Sequence, residues 1–176
     1  MKKLLLSLLV LSMFISVGIS NASASTIGIK GGYAMPKDDL KDFDDSYLFG
    51  VYFDMGKFYF NKLNFQPSLD YFTLETDNYE YGSIWGVHFD WYWHFMGKQS
   101  ISPFLGFGPS FNYLDRGNDN TADEDSDAGV DLFAGIEFRI SGTPFEMMVE
   151  GRYKMLDIAD RDATVWCINL GLGYNF

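Results

Sequence analysis

Past residue 25 the chain alternates between apolar and polar positions in eight separate stretches, with no helical periodicity of any length. The pattern predicts strands at roughly 27–35, 47–55, 63–73, 84–95, 101–113, 130–140, 145–155 and 165–176. The last is the clearest. Trp166, Ile168, Leu170, Leu172, Tyr174 and Phe176 share one face, and Val165, Cys167, Asn169, Gly171, Gly173 and Asn175 share the other. Polar connections at 36–46, 74–83, 114–129 and 156–164 alternate with tight turns near Gly97-Lys98 and over Ser141-Gly142-Thr143-Pro144. The segment 56–62 leaves open whether Lys57-Phe58-Tyr59-Phe60 continues a strand. Long loops at one end, short turns at the other and strands near ten residues are the habit of transmembrane barrels.

Alternation does not say which face is outside; side-chain volume does. Across the eight strands the apolar face carries twenty aromatic residues, including Trp85, Trp91, Trp93 and Trp166, while the polar face carries five: Tyr52, Phe72, Tyr92, Phe104 and Phe133. The glycines go the other way. Gly28, Gly32, Gly50, Gly86, Gly106, Gly108, Gly135, Gly171 and Gly173 lie on the polar face, against Gly31 and Gly151 on the apolar one. An eight-stranded cylinder is only wide enough for side chains to fill it. Twenty rings do not fit inside; glycines and a limited polar set do. That set is Lys30, Asp54, Asp70, His88, Asp90, His94, Asp131, Glu137, Arg139, Glu146, Glu150, Arg152 and Lys154. Slipping the register by one would turn these charges toward lipid, where each basic residue at midplane costs roughly 2–4 kcal/mol. The predicted fold is therefore all-β: an eight-stranded antiparallel up-and-down transmembrane β-barrel. Tyr33, Tyr47, Trp85, Tyr113 and Tyr153 would form its outer aromatic girdle, and Trp93, Phe95, Phe145, Tyr174 and Phe176 its inner one.

The first 24 residues follow another logic. Met1-Lys2-Lys3 is a basic start, Leu4 to Ile19 an apolar run, and Ala22-Ser23-Ala24 an A-x-A cleavage site. The expectation is a signal peptide over 1–24 that is removed, leaving one barrel domain over 25–176. Of the 24 acidic residues all remain and of the 13 basic ones Lys2 and Lys3 leave, so the mature net charge is −13. That charge argues against a nucleic-acid partner. A single cysteine, Cys167, allows neither an intrachain disulfide nor a thiolate zinc site.

The final residues Asn169-Leu170-Gly171-Leu172-Gly173-Tyr174-Asn175-Phe176 resemble the C-terminal assembly signal of bacterial outer-membrane barrels. In that signal a polar residue (here Asn169), a glycine two places on (Gly171) and apolar or aromatic residues at the third-last and last positions (Tyr174 and Phe176) recur. Residues 26–176 as a whole are similar to the small outer-membrane barrels of the OmpX, OmpA-barrel and OmpW types. Pro103-Phe104-Leu105-Gly106-Phe107-Gly108 and Phe133-Ala134-Gly135-Ile136-Glu137-Phe138-Arg139 match their glycine-rich fifth and sixth strands. The resemblance implies a location in the bacterial outer membrane. It implies contact with outer-membrane lipids and lipopolysaccharide, and reading of the last strand by the barrel-assembly machinery.

Three features could carry chemistry. The lumen charges read either as a salt-bridge and hydrogen-bond network that fills the barrel or as a narrow cation path. The acidic loops, with Asp38, Asp39, Asp42, Asp44 and Asp45 in the first and Asp115, Asp119, Asp123, Glu124, Asp125 and Asp127 in the third, read as a solvated surface or as sites for divalent cations. The run from Asp123 lacks glycine at position six (Ala128) and glutamate at position twelve (Ala134) of an EF-hand loop, so it is not a calcium motif. His88 and His94 lack a neighbouring serine on an upper or lipid-facing position and read as network members, and Cys167 as filler. No catalytic constellation and no cofactor site is expected. The functional expectation is a non-enzymatic structural or surface-interaction barrel acting through its extracellular loops. A small porin or OmpW-like channel is the alternative, and an outer-leaflet lipid-modifying enzyme a more distant one.

Overall fold

The computed structural model describes residues 25–38, 40, 43–58, 63–76, 79–96, 100–115, 125–158 and 161–176. Eight long strands form a single closed sheet: β1 (Thr26–Asp38), β2 (Ser46–Asp54), β3 (Leu63–Thr76), β4 (Tyr79–His94), β5 (Ile101–Asp115), β6 (Asp125–Arg139), β7 (Phe145–Ile158) and β8 (Arg161–Asn175). Each pairs antiparallel with its neighbour in the chain, and β8 returns to β1 in continuous register from Thr26↔Asn175 to Asp38↔Ala163. Closure gives the strand backbones partners on both sides, which is what lets a sheet sit in hydrocarbon. The fold is thus the all-β, eight-stranded up-and-down barrel that the alternation predicts.

The second strand continues past Asp54. Met55 and Gly56 together face Phe65: the Met55 N–H donates to the Phe65 carbonyl at 2.9 Å, and the Phe65 N–H donates to the Gly56 carbonyl at 3.1 Å. This bulge inserts one residue, and Lys57–Phe58 then pairs with Asn64 and Leu63. Gly56 takes it at a φ of 70°, which costs a glycine little. Ser141–Pro144 is a tight turn as expected, with Gly142 at a φ of 77° and the Thr143 N–H donating to the Ile140 carbonyl at 3.1 Å. The turn expected at Gly97-Lys98 and the expected signal peptide lie outside the described residues.

The outer connections are shorter than the sequence pattern suggests. Paired strand covers 74–76 and 79–83, as well as 156–158 and 161–164, because β3 and β4, like β7 and β8, continue as two-stranded ribbons. Ladder pairing persists there in segments whose polar composition reads as loop, while Leu74, Leu156 and Ala163 at their near ends still point into the lumen.

Side chains separate by parity around the cylinder except beside the bulge, where Met55, Phe65 and Pro67 are buried at outward positions. Leu170, Phe49 and Tyr47 are 62%, 63% and 73% exposed on the outside, whereas Arg152, Lys154 and His88 are fully buried inside. Ring pairs bridge neighbouring strands at both ends of the outer wall. Tyr33–Tyr47, Tyr71–Trp85 and Tyr153–Trp166 lie toward the long connections, at centroid distances of 5.9, 4.7 and 4.8 Å. Phe145–Tyr174 and Phe53–Phe176 lie toward the short turns, at 5.6 and 6.2 Å.

Candidate functional site

The lumen is filled in four levels, each built from inward positions of several strands. At the outer end Ala34, Leu48, Phe72, Leu74, Ile84, Leu156, Ala163, Val165 and Cys167 form an apolar cluster, with Leu40 and Phe43 from the β1–β2 connection packed on it.

Below lies the ionic level. Arg152 uses its whole fork: Nε donates to Glu150 (2.9 Å), Nη1 to Asp131 (2.7 Å) and Asp90 (3.2 Å), and Nη2 to Asp90 (2.7 Å) and Glu150 (3.2 Å). Its guanidinium also stands 4.3 Å from the centre of the Phe133 ring. Lys154 donates to Asp70 at 2.7 Å, and the Lys30 Nζ lies 3.9 Å from the same carboxylate. His88 sits between two acids, with Nδ1 2.7 Å from Asp131 and Nε2 3.0 Å from Asp70. Asn169 donates to Glu150 at 2.9 Å, and Ser110 to Asp131 at 3.3 Å. Such cross-barrel pairs are needed because each buried charge without one would cost several kcal/mol.

The third level is aromatic: Tyr52, Tyr92, Phe104, Phe133 and Met148, with Tyr92–Phe104 and Phe104–Phe133 ring centres 5.5 and 6.2 Å apart. Glycines make room for these rings. A methyl at Gly106 would run into Phe133, and one at Gly28 into Tyr52. Below the rings, at the end of the short turns, the His94 Nε2 lies 2.8 Å from Glu137, and the Asn64 amide 3.0 Å from the other ring nitrogen. Asn175 donates to Glu146 at 3.1 Å, Arg139 stands 3.9 Å from Glu146, and Asp54 accepts from the Gly56 N–H at 2.8 Å.

The structure therefore brings Lys30, Asp70, His88, Asp90, Asp131, Glu150, Arg152 and Lys154 into one cluster and sets Asp54, Glu137, Arg139 and Glu146 apart, beneath the aromatic level. Sequence reasoning overlooked Ser68, Ser110 and Asn112. Their parity alone placed them inside, since they follow the same two-residue step as Asp70 and Gly108. It also overlooked the apolar outer level, because Leu48 and Leu156 stand beside apolar outward neighbours and break the alternation there. Of the C-terminal strand, Asn169 and Gly171 point inward, and Tyr174 and Phe176 outward. The Phe176 N–H donates to the Ser25 carbonyl at 3.0 Å.

The level order also sorts charge. The segments 36–46, 74–83, 114–129 and 156–164, which join or end the strands on the outer side, hold 17 acidic and 4 basic residues, a net charge of −13. The other 7 acids after residue 25 are matched by 7 bases, so the barrel and its inner turns are formally neutral. In the first of these segments Asp44 and Asp45 are exposed, and Asp38 accepts a hydrogen bond from the Thr164 hydroxyl. Asp39, Asp42, Asp119, Asp123 and Glu124 lie outside the described residues, as do the side chains of Asp115, Asp125 and Asp127. Among the described residues no three His, Cys, Asp or Glu side chains come together to hold a metal ion.

A family model for the outer membrane protein beta-barrel domain matches residues 6–176. The chain belongs to that family. As an outer-membrane β-barrel it is a protein of the bacterial outer membrane, and the closed sheet with rings outside is how it resides there. Three solved structures share the fold of this outer-membrane barrel. Neisserial surface protein A is 12% identical, with a TM-score of 0.70 over 88% of this chain and 99% of its own. Ail, the attachment invasion locus protein of Yersinia pestis, is 17% identical, with a TM-score of 0.56 over 87% and 98%. The outer membrane protein OprG of Pseudomonas aeruginosa is 14% identical, with a TM-score of 0.53 over 86% and 96%. No curated protein sequence matches the chain.

Proposed function

We propose that this outer-membrane barrel is neither an enzyme nor a pore and acts at its outer surface, through the acidic segments that join its strands. The filled lumen carries the reading. A solute would have to pull Arg152 from three carboxylates and then part the five packed side chains beneath it. The hollow lined by Gln66, Tyr92, Phe104, Phe133, Glu137, Met148 and Glu150 has no space for a water molecule. What remains for contact is the outer end, whose net charge of −13 favours cationic partners or divalent cations and repels bare phosphate. Lipopolysaccharide would then be reached through bridging divalent cations. The barrel-assembly machinery would read Asn169, Gly171, Tyr174 and Phe176 before the strand closes on β1. Two of the fold relatives are named for surface or attachment roles, which agrees with this reading.

Planar-bilayer recording on pure refolded protein tests it. The expected trace is silent. Stable unitary steps would replace this reading with the small channel, and lipid A mass spectra that differ between a deletion strain and its parent would replace it with the lipid-modifying enzyme.

A further inference from the structure

The seams of the wall are not equally tied. Proline has no N–H to give to a ladder. Pro36 and Pro103 lie just past the last pairs of the β1–β2 and β4–β5 ladders, but Pro67 and Pro109 lie mid-wall. The β5–β6 ladder runs unbroken through Pro109↔Val130, whereas the β4–β5 ladder stops at His88↔Ser110 and resumes at Trp91↔Phe107. The donor that Pro109 lacks therefore faces β4, opposite Phe89. The β3–β4 ladder runs unbroken through Pro67↔Phe89, whereas the β2–β3 ladder ends at Tyr52↔Ser68 and gives way to the Met55-Gly56 bulge. The donor that Pro67 lacks therefore faces β2, opposite Phe53. Because Pro67 and Phe89 are partners, both gaps fall on one row of the sheet. The β3–β4 pair is thus continuous within itself and interrupted along both flanks at one height. Phe89 keeps a hold on β5 there through its ring, 6.3 Å from that of Phe111.

The ionic level stands at the same height. Asp90 and His88, on either side of Phe89, and Asp70 on β3 point inward from this pair of strands, while their partners stand on other strands. Arg152 of β7 donates to both oxygens of Asp90, at 3.2 and 2.7 Å, and Lys154 of β7 donates to Asp70 at 2.7 Å. Lys30 of β1 reaches the Ser68 hydroxyl at 3.3 Å, and Asp131 of β6 lies 2.7 Å from the His88 Nδ1. We infer that these cross-barrel contacts are a latch. The β3–β4 pair is the panel of the wall that yields, and the ionic level holds it shut where the backbone ladder does not. Buried ion pairs add little net stability over apolar filling, but they fix which parts of a structure face each other. The latch gives the charges a task beyond filling space. It is a property of the wall, independent of whatever the outer segments bind.

Amide hydrogen exchange, read residue by residue by NMR on the barrel in lipid nanodiscs, tests the latch. In the parent, the Phe53 and Phe89 amides beside the gaps are expected to exchange about tenfold or more faster than those of Ile29 and Leu172, partners on the β8–β1 seam. Asp90→Ala releases β4 from Arg152. It is expected to quicken Phe89 and Trp91 by about a further tenfold while Ile29 and Leu172 change by less than about twofold. Asp90→Asn, which keeps an oxygen for Arg152, is expected to fall between parent and Asp90→Ala, and serves alone where the alanine variant does not refold. Pro109→Ala supplies an N–H toward β4 and is expected to slow Phe89 several-fold with the latch untouched. Phe53 and Phe89 exchanging no faster than Ile29 and Leu172 in the parent overturn the panel, as does a Pro109→Ala that leaves Phe89 unchanged. Asp90 variants that quicken every seam alike, or none, overturn the latch. Neither conductance nor partner binding enters these readings, so the latch and the surface role fail separately.

Discussion

Arg152→Met is the most informative single change, because one guanidinium serves three carboxylates in a space closed to water. The substitution keeps an unbranched side chain that fits beside Phe133 while removing five charge-assisted hydrogen bonds. The three acids are not equally affected. Glu150 keeps Asn169, and Asp131 keeps His88 and Ser110. Asp90 has both oxygens on Arg152 and loses both contacts. Leaving one buried carboxylate unpaired costs about 3–5 kcal/mol, and thinning the shells of the other two adds about 1–2 kcal/mol. The expected loss of about 4–7 kcal/mol is a large share of a typical folding free energy. Equilibrium urea unfolding in phospholipid vesicles, followed by tryptophan emission and by heat-modifiable gel mobility, measures it. Adding Asp90→Asn should recover about 2 kcal/mol or more, since the amide removes the charge that Arg152 balanced. A single variant within about 1 kcal/mol of the parent would refute the reasoning, as would a double variant weaker than the single.

Two further outcomes follow from the same geometry. Gly135→Ala would press a methyl into the Val149 carbonyl and the Phe104 ring and should cost about 1–3 kcal/mol, whereas Gly151→Ala on the lipid face, with its nearest recorded neighbour 4.0 Å away, should change the urea midpoint little. Phe176→Ala should cut the heat-modifiable outer-membrane form several-fold in cells while the purified chain still refolds into lipid; an equal loss in both settings would mean that Phe176 matters only through its stack on Phe53.

The barrel was legible because hydrocarbon enforces a strict period of two on every residue that crosses it. The faces followed from volume, since Trp91 and Phe107 have no room inside a cylinder where a methyl at Gly106 already overlaps Phe133. Where lipid stops, the signal stops. Asp157 and Asp162 face each other across the β7–β8 ribbon in segments whose composition reads as loop. The bulge at Met55-Gly56 was hidden because an apolar run fits a strand with or without an inserted residue. Parity put Asp90 and Arg152 inside, but not in contact. They lie 62 residues apart on β4 and β7, three strands round the wall, and which carboxylates meet the fork depends on the register accumulated between them. The apolar outer level stayed hidden for a related reason: a leucine beside an outward tyrosine breaks the alternation that would mark it as inward.

The central assignment, rings toward acyl chains and charges toward a filled axis, is tested most directly by tryptophan quenching in vesicles of brominated phospholipids. Trp85, Trp91, Trp93 and Trp166 all lie on the outer wall, and Trp85 and Trp166 are 38% and 51% exposed there. Emission should fall strongly with bromine on the acyl chains and hardly at all with aqueous iodide. Strong iodide quenching with emission untouched by brominated lipid would contradict the account.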